Sequence, residues 1–444
     1  MKKIIASLLL FAVTMLASNE ASAQSILDRA KQKVRNRANQ KVDRAIDKGL
    51  DEVENSAKVK KETGSGGGAA SEQGTTAGAN TQTGNTTTEN KESNASPALA
   101  YTSKYDFVPG AKVIAYEDFN ETAIGDFPTR WNTNATAEVV TINNKEGKWL
   151  KINKQGVWHP EFITSLPENF TLEFDLGVSN NWNSSPFVLN IANLKTPQDF
   201  QDYYHYVNWK GNHAVHLQFR PAVKTAGAAG NSKVIAGATG NHTINNDVDF
   251  TVWDNTNNLF AHISVWRQNQ RLRVYVNGEK IWDLPRAFDA SSKYNAITVA
   301  AYDSYKKDDY FLLNNIRLAV GAPDTRNKLI TEGKFVTHGI LFDVNSDQIK
   351  PESAGALKDI GNVLKENPSV KVKIVGHTDA DGDDKTNMDL SKRRAASVKK
   401  YLVKEFGITG DNLETDGKGE SQPADKNTTS EGKANNRRVE FIKL

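Results

Sequence analysis

The sequence predicts a multidomain fold in which an all-β sandwich precedes an α+β domain, with an amphipathic helix and a disordered linker in front of both. The length of 444 residues corresponds to about three domains of roughly 150 residues each. All eight tryptophans lie between residues 131 and 282, among short segments of alternating hydrophobicity. Helical and strand patterns alternate only from residue 334 onward, so the two folded regions belong to different structural classes.

Composition argues against several functional classes. A net charge of only +3 argues against a nucleic-acid partner, which requires a strongly basic face. The absence of cysteine excludes disulfides, a thiolate nucleophile, cysteine-ligated zinc and a lipidated N-terminal cysteine. The sequence has no His-Glu-x-x-His or Gly-x-Ser-x-Gly motif, and a strand would place His213 and His216 on opposite faces. We therefore expect no cofactor, no bound metal ion and no enzymatic activity.

Residues 1–23 have the pattern of a secretory signal peptide. Lys2 and Lys3 precede an apolar stretch over residues 4–16, and residues 21–23 are the small residues of a cleavage site. The apolar stretch is shorter than the ~20 residues that a helix needs to cross a bilayer. We expect this segment to direct export and to be removed, which leaves a mature protein outside the cytoplasm.

Residues 24–60 form a predicted amphipathic helix, because apolar residues recur every three or four positions without an intervening proline. The apolar stripe has few large side chains. The helix therefore either meets a partner, such as a coiled-coil mate or anionic lipid headgroups of the envelope, or is a partly frayed solvated helix. Residues 61–98 contain no large apolar side chain and cannot form a core, so they are a predicted disordered linker.

Residues 99–322 are the predicted β-sandwich. Period-two alternation predicts strands at Phe170–Leu176, His262–Trp266, Leu272–Val276 and Phe311–Ala319. Asn277 and Gly278 follow the third of these strands, and this pair is typical of a two-residue hairpin turn. Many short strands without a long helical pattern favour two packed antiparallel sheets.

The sandwich resembles the laminin-G or concanavalin-like jelly roll. The resemblance is carried by the order of Asp118-Phe119, the hairpin of residues 273–282 and the closing strand of residues 311–319. Members of that group include lectins and glycosidases. Glu173-Phe-Asp175 begins like the Glu-x-Asp-x-x-Glu motif of laminarinase-type enzymes, but residues 176–178 supply no second acid for the two-carboxylate mechanism.

Aromatic residues of the sandwich suggest a second possible function, the binding of a glycan or a protein. A glycan or a protein could bind to exposed rings, and packing in the core or at its rim is the alternative. The candidates are Tyr203, Tyr204, Tyr206 and Trp209.

Residues 334–444 are the predicted α+β domain. The patterns predict strands at residues 339–342, 370–375 and 438–442, and helices at residues 352–365 and 388–406. Arg394 falls inside the apolar stripe of the second helix, and a guanidinium directed toward the buried side requires an anionic partner. The nearest candidates are Asp379, Asp381, Asp383 and Asp384.

Several separated motifs of this domain resemble the OmpA-like peptidoglycan-binding domain, which Pal lipoproteins and flagellar stator proteins share. They are Phe342-Asp-Val-Asn345, Gly376-His-Thr-Asp379, Gly382, Asn387, Leu390-Ser-Lys-Arg-Arg-Ala395 and Asn436-Arg-Arg-Val439. The resemblance implies noncovalent binding of the peptidoglycan stem peptide through diaminopimelate. It implies that Asp379 accepts the ligand ammonium group and that Arg394 holds a carboxylate. The flanking pocket positions it implies are Asn345, Thr378, Asn387, Asn436 and Arg437.

Two other interpretations of these charges stay open. Asp379 and Arg394 could form an internal ion pair that only stabilises the fold. Residues 379–384 could instead form a calcium loop, although Gly382 is its fourth residue and an EF-hand needs glycine at the sixth position.

The main hypothesis is a non-enzymatic, exported protein of a Gram-negative bacterium that binds peptidoglycan. It would be periplasmic, associated with the cell wall and the outer membrane, and its C-terminal domain would anchor the sandwich there. The alternative is a lectin-like or carbohydrate-active protein in which the sandwich is the working domain and the C-terminal domain only localises it.

Overall fold

The structure, a computed structural model, describes residues 106–143, 145–204, 213–238, 241–302, 308–321 and 324–444. All of them belong to one compact unit, which spans residues 95–444. The predicted signal peptide (1–23), amphipathic helix (24–60) and linker (61–98) lie outside the described residues. Within the described ranges, no helix is both long enough and apolar enough to span a membrane.

The first part of this unit consists, within the described ranges, of fifteen strands in two antiparallel sheets. The strands are β1 (Lys112–Glu117), β2 (Trp131–Thr133), β3 (Glu138–Ile142), β4 (Lys145–Ile152), β5 (Gly156–Pro160), β6 (Asn169–Val178), β7 (Phe187–Ala192), β8 (His213–Arg220), β9 (Gly230–Ala238), β10 (Asn241–Phe250), β11 (Phe260–Gln268), β12 (Arg271–Val276), β13 (Glu279–Leu284), β14 (Ala296–Ala301) and β15 (Phe311–Val320). One sheet has the order β13-β12-β11-β6-β15-β4-β3, with β1 also paired to β15. The other has the order β10-β9-β8-β7-β14-β5-β2.

The core of this region lies between the two sheets, because alternate residues of each strand point inward. Phe174 of β6, in the first sheet, has its ring centroid 6.1 Å from that of Phe187 and 6.4 Å from that of Phe219, both in the second sheet. All four strands predicted from alternation lie inside observed strands, β6, β11, β12 and β15. The predominance of β-structure is thus confirmed.

The predicted hairpin joins β12 to β13. Asn277 and Gly278 have φ angles of 47° and 81°, and such left-handed values at both central residues are what a tight hairpin turn requires. The Asn277 side chain also accepts a hydrogen bond from the His262 backbone N–H at 2.7 Å, which ties the turn to β11.

The second part is a four-stranded sheet with helices. Its strands are β16 (Lys334–Thr337), β17 (Val372–His377), β18 (Leu413–Gly419) and β19 (Val439–Lys443), in the order β16-β19-β17-β18. Its helices are α1 (Ala354–Glu366), α2 (Asp384–Phe406) and α3 (Ser430–Asn436). Short 3-10 turns lie at Pro197–Tyr204, Lys224–Ala226, Pro351–Ser353 and Gly410–Asn412, and a π-helical turn at Asn327–Thr331.

The predicted strand at residues 339–342 is wrong. The first strand of the domain is β16, and the segment after it contributes only an isolated bridge between Phe342 and Ile349. Gly339 lies so close to Pro109 that a Cβ atom would stand 2.9 Å from the proline Cδ. The close passage of these two segments accounts for the break, since a regular strand with side chains on both faces would not fit there.

The two parts pack directly on each other through β1 and α3. The Asn435 side chain accepts a hydrogen bond from the Val113 N–H and donates one to the Val113 carbonyl, both at 3.0 Å. Arg130 and Glu431 form an ion pair of 2.6 Å across the same contact. The sandwich is therefore fixed beside the helix that ends at the candidate site.

Candidate functional site

Asp379 lies in the loop that follows the inner strand β17. Its side chain is 14% exposed, and its Oδ2 atom lies 2.5 Å from Nη1 of Arg437. Arg437 directly follows α3, so this ion pair connects the β17 loop to the end of that helix. Burial lowers the pKa of Arg437, but the neighbouring Tyr116, Asp379 and Asp118 raise it by more, which keeps the guanidinium charged.

Arg394 lies on α2 and is half-buried, as its place in the apolar stripe predicts. Its contacts differ from the prediction. Nε donates to the Ser346 carbonyl at 2.9 Å, Nη2 donates to the Asp343 carbonyl at 3.2 Å, and the guanidinium lies 4.9 Å from the centroid of the Phe342 ring. Backbone carbonyls and an aromatic face therefore take the place that we assigned to an acidic side chain.

The charge of Arg394 is still influenced by the site. Burial lowers the pKa of Arg394 to about 10, the positive charge of Arg437 acts in the same direction, and Asp379 opposes both. Asp379 is thus near enough to interact electrostatically with Arg394, although its ion pair is with Arg437. Two opposite charges lie at one site without forming the internal Asp379–Arg394 ion pair that was the alternative.

An open pocket of about 500 Å³ adjoins Asp379. It is lined by Thr378, Ala380, Glu420, Pro423, Ala424, Asp425, Lys426, Asn427 and Asn436. Thr378 is only 4% exposed, and in the described part of the chain its Oγ1 atom has no hydrogen-bond partner. A buried hydroxyl that is left unsatisfied is costly, and this one belongs to a residue that lines the pocket.

The two predicted asparagines hold the loops around this pocket. Asn387 donates to Oε2 of Glu420 at 2.7 Å and to the Asp381 carbonyl at 3.1 Å. Asn436 accepts from the backbone N–H groups of Ala424 and Asp425 at 2.8 and 2.9 Å. Both amides are thus engaged in positioning the loops rather than directed freely into the pocket.

Asn345 lies in the loop whose carbonyls hold Arg394. The residue is exposed and has a φ of 53°, a left-handed conformation that asparagine tolerates better than most side chains. The turn directs the carbonyls of Asp343 and Ser346 toward α2. The structure therefore brings Asn345, Arg394 and the Asp379 loop to one end of the sheet.

The acidic loop after β17 has separate partners for its carboxylates. Lys433 lies 3.0 Å from Asp381, and Asp383 caps α2 by accepting a hydrogen bond from the Thr386 N–H at 3.0 Å. Among the described residues there is no group of three or more histidine or acidic side chains arranged to hold a metal ion. The arrangement gives no support to the calcium interpretation.

Lys433 and the helix that presents it, α3, were not predicted from the sequence. Helix α3 is seven residues long and contains a glycine and two asparagines, so its sequence carries no helical stripe. The sequence feature that could have indicated this helix is Thr429, a residue type that favours helix N-termini. Its hydroxyl caps α3 by accepting a hydrogen bond from the Gly432 N–H at 3.0 Å.

The Glu173 and Asp175 pair, the basis of the glycosidase interpretation, lies on the outer face of the first sheet. His262 Nδ1 is 2.7 Å from Asp175, and its Nε2 is 3.3 Å from Glu173. Arg317 binds the other oxygen of Glu173, with Nε at 3.0 Å, and donates to the His338 carbonyl of the C-terminal part at 2.5 Å. The acids are members of a buried ion network that reaches the second domain.

This network keeps its carboxylates ionised. Burial raises the pKa of both acids, but Arg317 and His262 lower that of Glu173 by more, and His262 and Asn315 lower that of Asp175 by more. Burial lowers the pKa of His262, but the hydrogen bonds that the ring donates to Asp175 and Glu173 raise it overall to about 10. Glycoside hydrolysis needs one carboxylic acid with a raised pKa, and neither member of this pair fits that role. The side chains of Tyr203, Tyr204, Tyr206 and Trp209 lie outside what the structure describes.

Comparison with known proteins identifies the second part of the fold. Residues 341–437 match the OmpA family. The C-terminal domain is an OmpA-family domain. Outer membrane porin F of Pseudomonas aeruginosa is 41% identical to this chain over 101 residues, which are 23% of the chain and 29% of the porin.

Other relatives of the OmpA-like domain match over similar lengths. Outer-membrane lipoprotein YfiB of Pseudomonas aeruginosa is 40% identical over 103 residues, 23% of this chain and 61% of that protein. Peptidoglycan-binding protein ArfA of Mycobacterium bovis is 39% identical over 108 residues, 24% of this chain and 33% of that protein. The chain therefore spans less than two thirds of each of these relatives.

Among solved structures, the peptidoglycan-associated lipoprotein from Burkholderia pseudomallei matches with a TM-score of 0.22. It is 25% identical, and the match covers 24% of this chain and 88% of that one.

Proposed function

We propose that this protein binds peptidoglycan without catalysis, through the diaminopimelate of the stem peptide, and so anchors its β-sandwich to the cell wall. Asp379 would accept the ligand ammonium group and Arg394 would hold a carboxylate. The observation that carries the proposal is that these two opposite charges are near enough to interact electrostatically but are not paired with each other. A zwitterionic ligand engages both charges, and charge-assisted hydrogen bonds make such contacts strong.

The surroundings of the two charges support this assignment. Arg394 is held in place by two carbonyls, so its position does not depend on the ligand. The pocket beside Asp379 is lined by Thr378, whose buried hydroxyl has no hydrogen-bond partner in the described part of the chain. Preorganised polar groups lower the entropic cost of binding, which favours selective capture of a small polar ligand.

The relatives support the same location and ligand. Their names place porin F and YfiB at the outer membrane and describe ArfA as peptidoglycan-binding. We infer that this chain is exported and works in the periplasm of a Gram-negative bacterium, between cell wall and outer membrane. The names of these three relatives describe a porin, a lipoprotein and a binding protein, none of them an enzyme.

We further propose that the sandwich is a jelly roll of the laminin-G or concanavalin-like kind. Two antiparallel sheets around one core, and a tight hairpin near the C-terminal end of the region, support this assignment. In this proposal the sandwich is the cargo and the OmpA-like domain is the anchor. Nothing observed at Glu173 and Asp175 favours the alternative in which the sandwich cleaves glycans.

Co-sedimentation of the mature protein with isolated sacculi tests the proposal. We expect Asp379→Asn and Arg394→Gln each to weaken binding by about 10- to 100-fold, the value of a charge-assisted hydrogen bond. Matched controls are Asp411→Asn, an exposed acid, and Arg393→Gln, the exposed neighbour on α2; both should bind like the wild type. Circular dichroism checks that every variant is folded.

The choice of sacculi tests the chemistry of the ligand. Sacculi that carry lysine instead of diaminopimelate lack the second carboxylate, and we expect them to bind at least about 10-fold more weakly. Equal binding to both kinds of sacculus, or wild-type binding by the folded Asp379→Asn and Arg394→Gln variants, would contradict the proposal.

A further inference from the structure

The β-sandwich reaches the candidate site through Tyr116 on β1. The Arg437 guanidinium lies 5.1 Å from the centroid of the Tyr116 ring, while the same guanidinium holds Asp379. A single cation therefore joins an aromatic ring of the sandwich to the carboxylate that we assign to the ligand. A contact of this kind stabilises the position of an arginine more than that of a lysine.

Several contacts fix Tyr116 in this place. Its backbone N–H donates to Oε1 of Glu431 at 3.4 Å, and Glu431 is also paired with Arg130. The two hydrogen bonds between Asn435 and Val113 hold β1 along α3. The neighbourhood of Tyr116 and Arg437 is thus part of a specific domain contact and not a chance approach of two surface side chains.

The chain after Tyr116 adds negative charge on the same side. Asp118 lies near enough to Arg437 to contribute to its raised pKa, and Glu121 does the same for Lys433. For Lys433, the hydrogen bond that its ammonium group donates to Asp381 is the larger cause of the raised pKa. Both cations therefore interact with acids of the OmpA-like domain and with acids of the sandwich.

This arrangement changes the charge balance at the site. Within the OmpA-like domain alone, Arg437 and Lys433 offset the charges of Asp379 and Asp381. Asp118 and Glu121 bring two further negative charges, which outnumber the remaining positive charge of Arg394, so the combined surface has an excess of carboxylates. An excess of negative charge favours a cationic group of the ligand over an anionic one.

We propose that residues 116–121 of the sandwich form a second wall of the peptide-stem site, in which Tyr116 positions Arg437 while Asp118 and Glu121 raise the affinity for the ligand ammonium group. The inference rests on the proposed function, because it names further determinants of the same site.

Calorimetric titration of the mature protein with two probes tests the inference. Meso-diaminopimelate carries two ammonium groups, and pimelate is the same dicarboxylate without them. For the double variant Asp118→Asn, Glu121→Gln we expect about 5-fold weaker binding of meso-diaminopimelate and no weakening for pimelate, since each charge acts through solvent over several ångströms. The difference in meso-diaminopimelate affinity between wild type and the double variant should be smaller at high salt, because dissolved ions screen the two carboxylates from the ligand.

Tyrosine variants test the positioning role. We expect Tyr116→Leu to weaken meso-diaminopimelate binding by about 3- to 10-fold, whereas Tyr116→Phe keeps the ring and the affinity. Arg130→Gln weakens the domain contact without touching Arg437 and should leave the affinity within 2-fold, roughly the limit of a surface ion pair. The control for the Asp118→Asn, Glu121→Gln variant is the double variant Glu138→Gln, Asp247→Asn, which removes two negative charges elsewhere on the sandwich and should bind meso-diaminopimelate like the wild type.

The outcomes separate this inference from the proposed function. If wild type binds meso-diaminopimelate and Asp379→Asn does not, but the 116–121 variants bind normally, the second wall is wrong and the proposed function stands. Equal weakening for both probes would indicate a loosened domain contact and would also overturn the inference. Failure of the wild type to bind overturns both.

Discussion

Arg437, not Arg394, is the ion-pair partner of Asp379, with 2.5 Å between Nη1 and Oδ2. Arg437 follows α3 and faces the sandwich, whereas Arg394 is held on α2 by the 343–346 turn. Asp379 therefore has a fixed cation on one side and a second cation, already bound to carbonyls, on the other. Several consequences of this geometry can be measured.

Removal of the Arg437 charge should affect binding more than stability. The side chain is 34% exposed, so we expect Arg437→Met to cost only about 1 kcal/mol of the free energy of unfolding, measured in urea. Sacculus binding should weaken by about 10-fold, because Asp379 loses the contact that orients it. Arg437→Lys keeps the positive charge but lacks the planar guanidinium group. Its affinity for sacculi should lie between those of the wild type and Arg437→Met. A large loss of stability with unchanged binding would show that Arg437 is structural only.

Thr378→Val should separate stability from binding. The substitution nearly preserves side-chain size and removes a buried hydroxyl that has no partner, so the free energy of unfolding should stay within about 1 kcal/mol or increase. Sacculus binding should weaken by about 3- to 10-fold if this hydroxyl meets the ligand. The control is Thr415→Val, an exposed threonine of β18. Wild-type binding by Thr378→Val would place the ligand elsewhere.

His262 should make stability depend on pH in the alkaline range. Its pKa in the folded protein is about 10, above the ordinary 6.5, so its contribution is fully present below pH 6.5 and is lost as the pH rises through about 10. We expect His262→Gln to cost about 3–5 kcal/mol at pH 6, because Asp175 loses its cation and Glu173 is left with Arg317 alone. Urea unfolding of wild type and variant should give a difference that shrinks toward pH 10.5. His213→Gln, at a half-exposed histidine, should show no such trend.

Gly376 lies where β17 passes α2 too closely for a side chain. A Cβ atom there would stand 2.3 Å from the Ser391 carbonyl oxygen. Gly376→Ala should cost about 1–3 kcal/mol of the free energy of unfolding, typical of overpacking. At Gly410 the nearest atom would be 3.9 Å away, and Gly410→Ala should remain within about 0.5 kcal/mol of wild type. Equal stability of the two variants in thermal melts would contradict the packing argument.

The local patterns of the sequence predicted the elements that are strongly periodic. Helix α2 and strands β6 and β11 were found because their apolar residues repeat with the period of the element. Strand β18 was missed because its sequence, LETDGKG, does not alternate. Its Gly417 is needed for approach to α2, since a Cβ atom would stand 2.4 Å from the Lys392 nitrogen. Close packing against a helix has no signature in local hydrophobicity.

The candidate site could be predicted only in part. The half-buried place of Arg394 follows from its position on the stripe, and the resemblance to the OmpA-like domain names its neighbours. The partners of Arg394 could not be predicted from the sequence, because every residue has a backbone carbonyl. Only the folded turn at Asn345 shows which two carbonyls reach α2. The contact of Tyr116 with Arg437 joins residues more than 300 positions apart, and no local pattern encodes it.

The side chain of Asn435 acts on β1 as a neighbouring strand would. In the described part of the chain, β1 pairs only with β15, and the amide of Asn435 binds both the N–H and the carbonyl of Val113. Exposed strand edges are templates for intermolecular pairing. The OmpA-like domain thus covers this edge of the sandwich. A sandwich truncated before residue 334 should form aggregates that the intact protein avoids.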